Sequence, residues 1–163
     1  MILIGLGSSL SFCGLSPQEI IALAIRSIGH ITRVVAVSRY YESPAWPDPA
    51  DPPFVNAAIR VRTETPPARL LEQLHGVEAA FGRTRGRRNA PRTLDLDLLA
   101  YGRLVSDGRE DGTTLPHPAI ADRDFVLAPL CDLAPGWTSP ANGLTARQML
   151  AALPKVTIRP LSP

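Results

Sequence analysis

An α+β fold, with two helices covering one face of an antiparallel sheet, is predicted by three observations. Strand-like and helix-like stretches follow the order strand, helix, strand, strand, helix, strand; the helices carry start and stop signals; and the strand segments are rich in apolar and β-branched residues. This order is two βαβ-like halves, the ferredoxin-like βαββαβ arrangement. Its second sheet face needs cover, and C-terminal strands and helices are expected to supply it, giving an α-β-α layered single domain over residues 1–163.

Each element has its own warrant. Residues 2–6 are an apolar run that stops at the polar turn Gly7-Ser8-Ser9, which suits a buried first strand. Ser16-Pro17-Gln18-Glu19 is a capping box with proline at the first helical position; Ile20, Leu23, Ala24 and Ile28 follow at helical spacing and Gly29 closes the helix. Residues 31–41 form the second strand. SPAWPDPADPP (43–53) holds five prolines in eleven residues, so it is a loop, and one longer than a hairpin needs. Trp46 within it is either a hydrophobic anchor or a lid element.

Residues 54–61 alternate as a third strand, with Asn56 on the face of Phe54 and Ala58. Thr65-Pro66-Pro67 is expected to cap the second helix, whose inward stripe is Leu70, Leu71, Leu74, Val77 and Phe81, with Gly82 ending it. The fourth strand carries Thr93 to Leu98. Tyr101-Gly102-Arg103 reads as a turn into a short strand at Leu104 and Val105, followed by a polar loop over 106–114. Residues 115–130 are partly helical, and a last helix starts at Thr145, runs to Leu153 and is stopped by Pro154.

Composition excludes several classes. With 45% hydrophobic and 20% charged residues the chain is of ordinary globular composition, and no apolar run approaches the ~20 residues of a membrane span. The N-terminus lacks a basic leader and is expected to be a core strand instead of a signal peptide. Cys13 and Cys131 stand in no ligand spacing and are expected unpaired in a reducing, cytoplasmic compartment. A net charge of +2 does not demand nucleic acid.

The chemistry concentrates at 83–99, RTRGRRNAPRTLDLDLL. Five of the chain's sixteen arginines, Arg83, Arg85, Arg87, Arg88 and Arg92, run into a strand in which Asp95 and Asp97 share one face while Leu94, Leu96 and Leu98 take the other. A lone D-x-D on a strand is most simply a solvated face. Two carboxylates roughly 6.5 Å apart on one strand face repel each other unless a cation sits between them. Oxygen-only ligation by such a pair suits Mg²⁺, which completes its shell with waters and substrate phosphates. Arginine forks beside the pair then serve as phosphate clamps, and the combination implies phosphoryl or diphosphoryl transfer. The rival from another class is a ferredoxin-like RNA-binding module that grips phosphates with the arginine loop.

The chain resembles the 6-hydroxymethyl-7,8-dihydropterin pyrophosphokinase family in GLGSSL (5–10), SPAW (43–46), FVNAA (54–58), FGRTR (81–85), PRTLDLDLLAYG (91–102), LPHP (115–118) and DRDFVLAPL (122–130). The resemblance implies Mg²⁺-dependent transfer of a diphosphoryl group from ATP to the pterin hydroxymethyl oxygen, with release of AMP, as a step of folate biosynthesis by a cytoplasmic monomer acting on small molecules, without nucleic acid or membrane. Position by position, Asp95 and Asp97 would hold two Mg²⁺ ions. Arg83 and Arg92 would clamp phosphates, with Arg85 and Arg88 in the same mobile loop, and His117 and Arg123 would meet the ATP. Phe54 and Phe125 would sandwich the pterin, Asn56 and the backbone of Ser43, Pro44 and Ala45 would read its edge, and Glu78 would support the arginine loop. Ser9 stands where the family often has asparagine, Asn89-Ala90 replaces a Trp-Gly seen in some members, and the loop is one residue shorter than in some relatives.

Overall fold

The computed structural model describes residues 1–45, 48–84 and 90–161. Trp46, Arg85, Arg87, Arg88 and Asn89, singled out above, lie outside the described residues. The elements are β1 (Ile2–Ser8), α1 (Pro17–Gly29), β2 (Arg33–Val37), β3 (Tyr41–Ser43), β4 (Phe54–Arg62), α2 (Pro67–Ala80), β5 (Asp95–Tyr101), β6 (Ser106–Asp107), β7 (Thr114–Leu115), α3 (Asp124–Leu133), α4 (Ala146–Ala152) and β8 (Arg159–Pro160). The predicted βαββαβ core is present as an antiparallel sheet in the order β5-β1-β4-β3-β8, with β2 also pairing β4.

The period-2 pattern of β1 divides the two cores. Ile2, Ile4 and Leu6 point toward α1 and α2, where Ile20, Ile21, Ile28, Leu70 and Leu74 are buried with them. Leu3 points the other way, into a second core with Leu99, Leu127, Leu130, Trp137 and Met149 from β5, α3 and the C-terminal region. Burying a full Leu or Ile side chain contributes roughly 1.5–3 kcal/mol, so both faces are worth holding. The C-terminal cover expected from the sequence is therefore α3 and α4, lying on the face opposite α1 and α2.

The cap of α1 is as read: Ser16 Oγ accepts from Glu19 N–H at 3.4 Å, while the Glu19 carboxylate accepts from Ser16 N–H at 2.8 Å. The last helix, bounded by Thr145 and Leu153, is likewise where it was predicted. Four expectations need correction. The second strand is two: Ser38 Oγ accepts from Ala58 N–H at 2.9 Å and donates to Arg39 C=O at 2.7 Å, so a side chain interrupts the ladder between β2 and β3. Thr65 does not cap α2; the N-cap is Pro66, which has no side-chain acceptor, and the Thr65 hydroxyl instead accepts from Thr63 Oγ1. Leu104 and Val105 form no strand and are exposed. The strand begins at Ser106, and the supposed polar loop is closed by a β6–β7 hairpin.

Candidate active site

Three adjacent strands make the floor of the site. The register sets Gly7 between Asp95 and Asn56, and Gly5 between Asp97 and Ala58. Cross-strand partners project from the same face, so two short rows, acid-glycine-amide and acid-glycine-alanine, lie side by side on the α3 side of the sheet. The glycines leave the middle of each row empty. A Cβ on Gly7 would sit 3.5 Å from Asn56 Oδ1, 3.8 Å from Phe54 Cδ1 and 3.9 Å from Asp95 Cβ, in ordinary contact with all three. Above this floor is a cavity of about 1670 Å³.

One end of the cavity is charged. Arg83 pairs with Glu78 and, at 2.5 Å, with Asp95 Oδ1; Arg92 Nη1 reaches Asp95 Oδ2 at 3.1 Å. Asp97 has looser company, with His117 Nε2 and Arg123 Nη1 each 4.0 Å away. Burial, then the Asp95 charge, pushes the Asp97 carboxyl above its ordinary range. Glu78, buried at the end of α2, is pushed up to about 7 by desolvation, against the opposing pull of the Leu96 N–H (2.7 Å) and the Arg83 guanidinium. Burial lowers the pKa of His117. Its Nδ1 accepts from Ala119 N–H at 3.2 Å, so in the neutral ring Nε2 carries the proton and faces Asp97 as a donor.

The other end is aromatic and amide. Asn56 Nδ2 donates to Ser43 Oγ at 2.9 Å and to Phe54 C=O at 3.3 Å, which fixes the amide and directs Oδ1 over Gly7. Phe54 from β4 and Phe125 from α3 both line the cavity, and the Arg123 guanidinium lies 5.6 Å from the Phe125 ring centre.

The structure brings twelve of the residues named from the sequence together. Arg83, Arg92, Asp95, Asp97, His117, Arg123, Ser43, Pro44, Phe54, Asn56, Phe125 and Glu78 all line one cavity. Ala45 is buried and is not among its lining residues. Arg85 and Arg88 lie outside the described residues.

Gly5 and Gly7, Asp122 and the rim residue His75 also line the cavity and were not foreseen there. The signal for the glycines was available: 5 and 7 alternate in β1 as 95 and 97 do in β5. The same GLGSSL stretch holds the backbone at Arg92 and Thr93. Ser9 and Leu10 N–H donate to Arg92 C=O at 3.0 and 3.2 Å, Ser9 Oγ accepts from Arg92 N–H at 3.1 Å, and Ser8 Oγ donates to Thr93 C=O at 2.6 Å.

No group of three or more His, Cys, Asp or Glu side chains among the described residues could hold a metal alone. Asp95 and Asp97 offer two carboxylates over an open glycine floor, a donor set that fits Mg²⁺ completing its shell with water and phosphate oxygens. The guanidinium groups on Asp95 show that a positive charge is already welcome there.

Comparison with known proteins agrees with the geometry. The family model described as 7,8-dihydro-6-hydroxymethylpterin-pyrophosphokinase matches residues 3–135. A 2-amino-4-hydroxy-6-hydroxymethyldihydropteridine pyrophosphokinase of Methylorubrum extorquens is 46% identical over 122 residues, covering 74% of this chain and 74% of that protein. One from Pseudomonas aeruginosa is 40% identical over 154 residues, covering 93% and 90%. Among solved structures, the Plasmodium falciparum HPPK-DHPS A437G/K540E variant with pterin and p-hydroxybenzoate aligns at a TM-score of 0.66 and 10% identity, a likeness of fold. The alignment takes in 92% of this chain but 42% of that longer one. On the family match and these two relatives, the chain belongs to the 7,8-dihydro-6-hydroxymethylpterin-pyrophosphokinase family, whose members are ATP-dependent diphosphotransferases.

Proposed function

We propose that the protein transfers a diphosphoryl group from ATP to the hydroxymethyl oxygen of 6-hydroxymethyl-7,8-dihydropterin, in a Mg²⁺-dependent step of folate biosynthesis that leaves AMP. The observation that carries this reading is the pair of rows on the sheet floor: two acids at one end, an amide held by Ser43 at the other, and glycines between. A phosphate-bearing substrate and a flat heterocycle can thus meet over Gly5 and Gly7 in one cavity.

The roles follow from position. Asp95 and Asp97 would hold the Mg²⁺ ions, two in this reading, and bound there the ions would supply positive charge against the phosphate chain. Arg83 and Arg92, which pair with Asp95, are placed to exchange that partner for phosphate oxygens. His117 Nε2–H and Arg123 add donors on the Asp97 side, for the nucleotide. Asn56 Oδ1 and the 43–45 backbone meet the hydrogen-bonding edge of the pterin, with Phe54 and Phe125 against its faces. Glu78 supports Arg83. Displacement at phosphorus leaves little covalent work for the protein, so orientation and charge stabilisation supply the rate.

The reading includes one domain over residues 1–163, a monomer, and a cytoplasmic location; the two unpaired cysteines, Cys13 and Cys131, agree with a reducing compartment. Arg83 and Arg92 turn inward onto Asp95, which favours a small polyphosphate over an RNA backbone.

Incubation with ATP, Mg²⁺ and the reduced pterin tests the proposal: AMP should form only when all three are present. Asp97→Ala should lower turnover by about two orders of magnitude or more while the protein still folds, because the side chain makes no ordinary-length hydrogen bond among the described residues. AMP formation without pterin, or wild-type turnover in the variant, would defeat the assignment.

A further inference from the structure

The family match ends at residue 135, yet the segment beyond it is fastened to both sides of the cavity. Asp124 opens α3 between Arg123 and Phe125, two cavity residues, and its own carboxylate is turned away from the cavity and buried. Oδ2 accepts three hydrogen bonds from the tail: Thr157 N–H at 2.5 Å, Thr157 Oγ1–H at 3.0 Å and Ile158 N–H at 3.1 Å. An acid in the first turn of a helix is favoured by the helix dipole, but the dipole does not account for three donors arriving from a segment 33 residues away.

The next residues reach the opposite wall. Arg159 Nε donates to Glu42 at 3.0 Å and its Nη2 makes a second bond to the same oxygen; Arg159 and Pro160 pair with Glu42 and Tyr41; and Leu161 N–H donates to Tyr40 C=O at 2.9 Å. The strand so gripped, β3, ends at Ser43, which holds Asn56 and lines the cavity. Residues 157–161 therefore tie the helix that carries Phe125 to the strand that carries Ser43.

We propose that this segment is a strap that sets the spacing of the two cavity walls, with Asp124 as a positioning residue for substrate. The proposal rests on the pterin reading above. A flat ring held between two walls loses a quarter to a half of each contact when a gap opens by about 0.5–1 Å, so a tie that fixes the walls contributes to affinity without touching the ligand. The phosphate end depends mainly on Asp95, Asp97, Arg83 and Arg92, none of them on α3 or β3, with Arg123 the one nucleotide contact next to the strapped helix, so nucleotide affinity is less sensitive to the strap.

Calorimetric titration of the full chain with 6-hydroxymethylpterin, in the presence of Mg²⁺ and a non-hydrolysable ATP analogue, tests this. Asp124→Ala and Arg159→Ala should each raise the pterin Kd by about five- to tenfold, with the Kd of the analogue changed much less. Asp124→Asn keeps a carbonyl oxygen for the same three donors and should recover most of the affinity. Should Asp124→Ala fail to fold, Arg159→Ala, an exposed residue, decides alone. Wild-type pterin affinity in a folded Asp124→Ala or Arg159→Ala protein, even with a lowered Tm, would reduce the strap to a stability device and overturn the proposal. Failure of the wild-type chain to bind pterin would overturn the pterin reading and the strap together, so the two failures are distinguishable.

Discussion

Asp95 and Asp97 are chemically identical and two positions apart, yet their surroundings separate them. Among the described residues, Asp95 is held by two guanidinium groups at 2.5 and 3.1 Å, whereas Asp97 has only partners at 4.0 Å. The alternation of β5 made their shared face legible in the sequence, as did the arginines beside them. The company each acid keeps was not legible, because it depends on where α2 ends and on the contact of 115–123 with β5. The same holds for Asn56, whose fixed amide arises from Ser43 across a strand pair. These positions divide the kinetic effects. Arg92→Ala, remote from the amide, should lower kcat by about 10²-fold while changing pterin affinity little. Asn56→Ala should instead weaken pterin binding by roughly 1–3 kcal/mol, the loss expected when a buried polar contact goes unmade, and leave ATP affinity nearly unchanged. Steady-state kinetics with each substrate varied would check both; lost pterin binding in the arginine variant would reverse the roles.

At the scale of elements, what could be read was local and what could not was long-range. The capping box of α1 and the Thr145 start of α4 are satisfied within four residues, so sequence alone located them. The break between β2 and β3 depends on Ser38 bonding Ala58 twenty positions away, and β8 is two residues, Arg159 and Pro160, with no β-propensity to announce them. Strand β1 shows both kinds. Its burial was evident from Ile2 to Leu6, but the use of Gly5 and Gly7 as floor appears only once the register is known. Gly7→Ala tests that use. The added methyl meets neighbours no closer than 3.5 Å, so the strand should fold with stability changed by no more than about 1 kcal/mol. It would nevertheless stand between Asp95 and Asn56, and pterin affinity should fall several-fold; Gly7→Val should abolish binding. A native melting curve with unchanged affinity in both variants would show that substrate does not approach that part of the floor.

Across the whole molecule, two apolar cores hold the sheet from either side, while the hollow between β5, β1 and β4 gathers acids that cost stability when no cation is present. Functional sites commonly carry such a cost, and relieving it stabilises the fold at the expense of activity. Asp97 is the clearest case, since burial and Asp95 both raise its pKa. A carboxyl whose folded pKa lies above its unfolded value favours folding in its protonated form. That contribution is complete below the unfolded value and disappears as pH rises through the folded one. Above that folded value the wild-type protein without metal therefore bears the full penalty of an ionised Asp97, moderated by the 34% exposure of its side chain. Asp97→Asn removes the charge and keeps the shape. In EDTA at pH 8 we expect its Tm to exceed the wild-type value by about 2–4 °C, the shift that roughly 1 kcal/mol gives in a chain of this size. The difference should shrink toward zero as pH falls below the ordinary aspartate range, where both side chains are neutral. Added Mg²⁺ and ATP analogue should raise the wild-type Tm more than that of the variant. A variant less stable than wild type at pH 8 in EDTA would show that Asp97 serves the fold, and would remove the argument that this acid is kept for the ligand.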